Sequence, residues 1–136
     1  MNLKFLLSTF LFINISCNDD NDSINVPIDN EKLLGNWILT ESYISPGGAA
    51  EWQNVEKGFR YIFEDKGLFQ KRNFDNSLDY KGNFQVNEDE LFFYFKNEKV
   101  SDTLGYKIEL DNAILTISPF YPTMCIEGCL YRFKKE

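Results

Sequence analysis

The sequence predicts an all-β protein, an eight-stranded antiparallel up-and-down barrel preceded by a short N-terminal helical turn. Three observations lead to this fold class. From Gly35 onward, apolar and polar residues alternate with period two in short segments. Clusters of Gly, Pro, Asn and Asp separate these segments. No amphipathic segment of helical length interrupts the series, which argues against a βαβ fold.

The elements follow from this pattern in chain order. Asp29 or Asn30 can cap a helical turn that Gly35 ends. Turns are expected at residues 65–67, 75–77, 87–89 and 111–112, and longer loops at 45–57 and 119–128. The predicted strands are Asn36–Ile44, Gly58–Glu64, Leu68–Phe74, Asp79–Val86, Glu90–Lys96, Thr103–Leu110, Ala113–Ser118 and Cys129–Lys134.

Most of these strands have one apolar face and one polar face. Phe59, Tyr61 and Phe63 share a face, whereas Arg60 and Glu64 lie opposite. Rolling such a sheet shut removes both of its edges and buries the aromatic side. The fifth strand is apolar on both faces over residues 91–95. Its outer face is therefore covered by the N-terminal turn or a loop, or it is a surface for a partner.

The N-terminus has the layout of an export signal. Lys4 precedes a short apolar run, and small Ser16 ends it. The run is shorter than the roughly 20 apolar residues that span a bilayer. We therefore predict that residues 1–16 are a signal peptide, the alternative being a buried N-terminal element of the barrel.

Cys17 follows this segment directly, so the segment resembles a bacterial lipobox. The acidic run that comes next, within a predicted flexible tether at 17–29, resembles the export signal of Bacteroidetes surface lipoproteins; it is equally typical of a plain solvated tether. The resemblance implies a lipid attached to Cys17, which anchors the protein to the outer membrane of the cell envelope.

Composition excludes several functions. The net charge of −7 argues against nucleic acid as a partner, because phosphate binding needs a basic patch. The chain has no histidine, so neither a Ser-His-Asp nor a Cys-His device can be built. The acidic pairs fall at predicted turns, where solvated carboxylates are ordinary. We expect no enzyme activity, no cofactor and no metal site.

Two cysteines remain after Cys17. Cys125 and Cys129 form an even pair in an exported chain, which favours a disulfide. Four residues of extended strand would hold them about 13 Å apart, so a bridge requires a turn or bulge between them. The alternative is two free thiols packed as small hydrophobic groups.

Residues 30–136 resemble the lipocalins. Gly35-Asn36-Trp37 at the start of the first strand is similar to the Gly-x-Trp signature of that family. The resemblance implies that Trp37 closes the base of the barrel and that a late arginine, here Arg132, packs across it. It also implies a binding protein for a small apolar ligand. We expect no C-terminal helix of the kind that many lipocalins have.

An eight-stranded barrel is just wide enough to be filled by side chains or to hold one small ligand. The loop at residues 45–57, with Trp52, is the expected lid, although Trp52 could simply pack the loop down. Many large aromatics point inward, so we expect a small cavity or none. The rival hypothesis is a non-catalytic structural or protein-interaction module with a filled barrel. The expected ligand contacts are Trp52, Tyr61, Phe63, Phe93 and Tyr106.

Overall fold

The computed structural model describes residues 28–96 and 101–136, and over this range the protein is one antiparallel β-barrel. A single helical turn, α1 (Asn30–Leu33), precedes the barrel. The strands are β1 (Gly35–Ile44), β2 (Gln53–Asn54), β3 (Arg60–Glu64), β4 (Leu68–Arg72), β5 (Leu78–Asn87), β6 (Glu90–Lys96), β7 (Ser101–Asp111), β8 (Ile114–Tyr121) and β9 (Cys129–Lys135).

The barrel closes by pairing of its first and last strands. β1 pairs with β3 at its beginning and with β9 along its length, and every strand from β3 to β9 pairs with the next. The eight predicted strands and the all-β class are therefore confirmed. The two-residue strand β2 was not predicted; it pairs with Glu41 and Ser42 of β1 within the first long loop.

The tight turns are built from residues that tolerate a left-handed backbone. Lys66, Asn76, Glu88 and Asn112 have φ between 52° and 67°, one in each of the four short turns. Each of these turns joins two neighbouring antiparallel strands. Local turn chemistry therefore sets the register that brings alternate residues of each strand to the inside.

Thirteen apolar side chains form one buried core inside the barrel. Most come from the inward-facing positions of the strands, as the alternation predicted. The buried set is Leu33, Trp37, Leu39, Tyr61, Phe63, Phe69, Phe84, Leu91, Phe93, Ile108, Leu115, Ile117 and Phe133.

Helix α1 closes one end of the barrel. The side chain of Asp29 caps it by accepting a hydrogen bond from the Lys32 N–H at 3.0 Å, as predicted for that position. Leu33 is fully buried, and its carbonyl accepts a hydrogen bond from Trp37 Nε1 at 2.7 Å. The amide oxygen of Asn30 accepts a bond from the Val86 N–H at 3.1 Å, which ties α1 to β5.

The outer face of β6 is covered in part by β8. A bulge in the β7–β8 pairing leaves Phe120 between the partners of Gly105 and Tyr106. The Phe120 ring packs edge-on against Phe92 at 5.6 Å and lies so close to Gly105 that a Cβ there would approach it to 2.8 Å. The cover therefore comes from a strand bulge rather than from the N-terminal turn or a loop.

Candidate functional site at the barrel mouth

The two ends of the barrel differ in chemistry. The base carries α1 and three tight polar turns, whereas the other end, which we call the mouth, carries the longer connections. Large exposed apolar side chains concentrate at the mouth among the described residues. Six of the nine lie on strand ends or loops there, namely Ile44, Phe74, Leu78, Tyr121, Met124 and Ile126.

The middle of the barrel is filled by aromatic rings. Tyr61 stacks on Phe93 at 4.8 Å, and Phe93 in turn contacts Phe63 at 5.9 Å and Phe69 at 4.4 Å. These four side chains are at most 2 % exposed. Three of the predicted ligand contacts, Tyr61, Phe63 and Phe93, are therefore packed against one another in the core, so a ligand can reach only the layer above them.

A cluster of phenol groups reaches from the core towards the mouth. The phenol of buried Tyr61 interacts with those of Tyr80 and Tyr106, which are both half-buried. Burial raises the pKa of Tyr80 to about 12. Burial also raises the pKa of Tyr61 well above its usual value, with further contributions from Tyr80 and Tyr106, and raises that of Tyr106. All three phenols are therefore neutral at physiological pH.

The half-buried phenols can offer hydrogen bonds to a ligand. Each phenol carries one donor hydrogen and also accepts. Tyr80 and Tyr106 are both only partly buried. Their hydroxyls can therefore bond to water or to a ligand with an acceptor group.

A lysine stands at the edge of the same layer. The Lys71 ammonium lies 4.5 Å from the ring centroid of Phe59 and 5.1 Å from that of Tyr80. It is ion-paired with Asp79 at 2.8 Å. Tyr80 also stacks on Phe95 at 4.3 Å. The mouth thus combines partly exposed aromatic faces with one fixed cation.

The sequence analysis missed several of these residues. Of the predicted ligand contacts, Tyr106 is the half-buried one that belongs to the tyrosine cluster. Tyr80 was assigned to the apolar face of its strand, and its place near the start of that strand could have put it at the mouth. Nothing in the sequence marked Lys71 as part of this site, because a lysine near a strand end is ordinarily solvent-exposed.

Trp52 lies apart from the other predicted ligand contacts. Its ring packs on the guanidinium of Arg132 at 3.7 Å and on Tyr43 at 5.7 Å. Arg132 neighbours fully buried Phe133 along β9, so it faces outward. The loop is held against the outer wall of β1 and β9 at Trp52, whereas Val55 packs against the core.

The expected contact of Arg132 with Trp37 is wrong. Trp37 is fully buried at the base as predicted, but the cation over its ring is the Lys135 ammonium at 5.2 Å. Arg132 is paired instead with Glu41 at 3.3 Å. Gly35 begins β1 with φ 118°, a value that favours glycine.

The predicted disulfide is present. Cys125 and Cys129 are bonded, with their Cα atoms 5.7 Å apart. The turn that this requires is made at Gly128, which has φ 90°. The bridge ties the loop before β9 into a small ring at the mouth, with Ile126 exposed within it.

Within the described ranges, 28–96 and 101–136, no group of three or more cysteine or acidic side chains is arranged to hold a metal ion. In the same part of the chain, no helix combines the length and apolarity needed to span a membrane. Residues 1–27, which include the predicted signal peptide and Cys17, lie outside the described residues.

Taken together, a closed eight-stranded barrel with a helix-capped base and exposed apolar side chains at its mouth defines the class of small closed β-barrel proteins. The lipocalin-like domain family matches residues 33–117. The chain therefore belongs to the lipocalin-like domain family. No curated protein and no solved structure shows significant similarity to it.

Proposed function

We propose that this protein is a non-catalytic, membrane-anchored binding protein of the cell envelope that holds a small apolar ligand at the barrel mouth. The observation that carries the proposal is the pair of half-buried phenols of Tyr80 and Tyr106, which lie among aromatic rings: Tyr80 stacks on Phe95 and Tyr106 contacts Phe93. A ligand that is mostly apolar and bears one hydrogen-bond acceptor fits this chemistry.

The filled middle of the barrel limits the size of the ligand. Because Tyr61, Phe69 and Phe93 occupy the centre, the ligand sits above them rather than deep inside. The exposed apolar side chains around the mouth extend the contact surface outward. A shallow site of this kind favours a flat or compact molecule over a long chain.

The anchor rests on the sequence of the first residues. An apolar run ending at Ser16, then Cys17 and an acidic tether, supports lipid attachment and outer-membrane localisation. The negative net charge speaks against electrostatic attachment to anionic lipids, so a covalent lipid is the simpler means of association.

A test of the ligand site is a fluorescence titration of the chain with prodan, an apolar naphthalene dye that bears a ketone acceptor. We expect saturable binding, weakened about three- to tenfold in Tyr80→Phe and in Tyr106→Phe, because each variant removes a hydroxyl and keeps the ring. Tyr94→Phe is the matched control, since Tyr94 lies on the outer face and is 42 % exposed. Equal binding by all four proteins would contradict the site.

The second candidate is a structural or protein-interaction module with a filled barrel. The tight packing of Tyr61, Phe63 and Phe93 favours it. The same titration separates the two functions. Absence of saturable dye binding by the unchanged chain would leave this second function as the better account.

A further inference from the structure

A groove of about 600 Å³ crosses the outer face of β4–β7, on the side of the sheet away from the mouth cluster. Phe69 of the core and Phe95, which packs against the core, also line it, but most of its lining residues face outward. Strand register places one row of side chains across it: Leu68 pairs with Asn83, Asn83 with Tyr94, and Tyr94 with Thr103. Neighbouring strands are about 4.8 Å apart, so this row is roughly 14 Å long.

An aromatic platform lies in the middle of this row. Tyr94 is 42 % exposed, and its ring lies nearly parallel to that of Phe92, at 6.3 Å and 18°. Phe92 is itself held by the edge of Phe120. Contact with Phe92 therefore holds the Tyr94 ring in place while the ring stays exposed to solvent. A fixed and exposed aromatic ring of this kind can stack against a ligand.

One wall of the groove is fixed by a chain of hydrogen bonds. The Gln70 side-chain oxygen accepts two bonds from the Arg72 guanidinium, at 3.0 and 2.7 Å. The Gln70 amide nitrogen donates to Oε1 of Glu64. Among residues 28–96 and 101–136, no hydrogen bond to the second carboxylate oxygen of Glu64 is made, so this oxygen can accept one from a ligand.

The remaining polar groups supply both donors and acceptors. Lys81, Lys96 and Asn83 contribute donors, and Asp102 contributes acceptors. Within the described part of the chain, neither lysine takes part in an ion pair. Two carboxylates and two ammonium groups line the groove, so its formal charge is balanced.

We propose that this outer groove binds a short neutral oligosaccharide. The apolar C–H face of a sugar ring stacks on an aromatic ring, and its hydroxyls both donate and accept hydrogen bonds, which matches Tyr94 and the mixed lining. A nucleotide would bring its phosphates against Glu64 and Asp102. A fully apolar molecule would remove water from the lysines without replacing their hydrogen bonds.

The experiment is calorimetric titration of the full chain with maltohexaose, cellohexaose and the acidic hexagalacturonate. We expect saturable binding of maltohexaose or cellohexaose. The affinity for the neutral saccharide that binds should be no lower than the affinity for hexagalacturonate. Tyr94→Ala should weaken this binding about tenfold or more, whereas Tyr94→Phe, which keeps the ring, should stay within about threefold. Tyr121→Ala is the control, because Tyr121 is equally exposed but lies at the mouth.

Three results would overturn the proposal: no saturable binding of any of the three saccharides, binding of hexagalacturonate alone, or an unchanged affinity in Tyr94→Ala. Tyr80→Phe separates this site from the mouth. It should weaken prodan binding and leave saccharide binding unchanged, whereas a loss of saccharide binding in Tyr80→Phe would place the saccharide at the mouth and contradict the groove.

Discussion

Tyr61 places a polar atom at the top of an otherwise apolar core. Its ring stacks on Phe93, and its phenol interacts with those of Tyr80 and Tyr106. A buried hydroxyl without a polar partner costs free energy, so the two neighbouring phenols offset part of the cost of burying Tyr61. The same group supplies the donor that the proposed ligand uses.

The tyrosine cluster predicts a specific loss of stability in alkali. Burial raises the pKa of Tyr80 to about 12, whereas an unfolded tyrosine ionises near about 10. The stabilisation is complete below pH about 10. Above it, the unfolded chain releases protons that the folded chain retains, so the free energy of unfolding falls as pH rises towards about 12.

Urea denaturation at a series of pH values measures this decline. We expect Tyr80→Phe to make the decline less steep, because one of the late-ionising phenols is removed. Tyr94→Phe controls for the loss of a phenol on the exposed outer face. If the slope for Tyr80→Phe matched that of the unchanged chain, the cluster would not be the cause.

Arg132 shows how one side chain can hold a loop. Its guanidinium lies on Trp52 and pairs with Glu41. We expect Arg132→Ala to lower the free energy of unfolding by about 0.5–1 kcal/mol, mostly through the lost cation–π contact, since a partly exposed ion pair contributes little. The measurement is urea denaturation, with Lys134→Ala as the control two positions along β9. Equal stability of the two variants would contradict this role.

At the scale of elements, β5 depends on a glycine where two strands approach closely. A Cβ on Gly82 would lie 2.0 Å from the backbone oxygen of Tyr94 and 2.9 Å from the Cα of Phe95. Neither atom belongs to a flexible side chain, so relief requires β5 and β6 to move apart. The floor of the outer groove lies at this same crossing.

Gly82→Ala should therefore lower the free energy of unfolding by about 1–3 kcal/mol, the usual cost of overpacking. Thermal or urea denaturation would show it. Gly48→Ala is the matched control, because a Cβ at Gly48 meets nothing within 4 Å. A Gly82→Ala protein as stable as the control would show that the strands separate easily at this point.

A bulge in β1 changes which side chains of this strand face the barrel interior. Leu39 pairs with Phe133 but Glu41 pairs with Arg132, so Thr40 is an extra residue in β1. The extra residue reverses the inside–outside alternation beyond it. Tyr43 is therefore brought to the outer wall, where it meets Trp52 and helps to hold the long loop there.

At the scale of the whole molecule, the barrel separates a sealed base from an apolar mouth. The described chain begins at the base, next to α1. The mouth and the outer groove lie on other surfaces. Both proposed binding sites therefore lie away from the point at which the described chain begins.

The anchor has a direct test in a host that processes lipoproteins. Cys17→Ala removes the thiol that would carry the lipid, so we expect the variant to leave the membrane fraction for the soluble fraction of the envelope. Cys125→Ser with Cys129→Ser controls for the loss of cysteine as such. Continued fractionation of Cys17→Ala with membranes would contradict a lipid anchor.

Local sequence was enough to predict much of this fold. Alternation within each strand placed Tyr61, Phe63 and Phe84 on the inner face, because a pleated strand turns successive side chains to opposite sides. Turn residues such as Asn76 and Asn112 marked the hairpins, because they tolerate a left-handed backbone. These signals act over a few residues and need no knowledge of the rest of the chain.

The sequence by itself predicted the barrel class, the strand order and a buried Trp37, and it favoured a bridge between Cys125 and Cys129 that the structure then showed. Only the tertiary structure decided which cation covers Trp37, where Trp52 lies and which phenols meet Tyr61. The physical reason is that these contacts join strands distant in the chain. A single bulge in β1 and the register of closure between β1 and β9 set them, and neither leaves a periodic trace in the sequence.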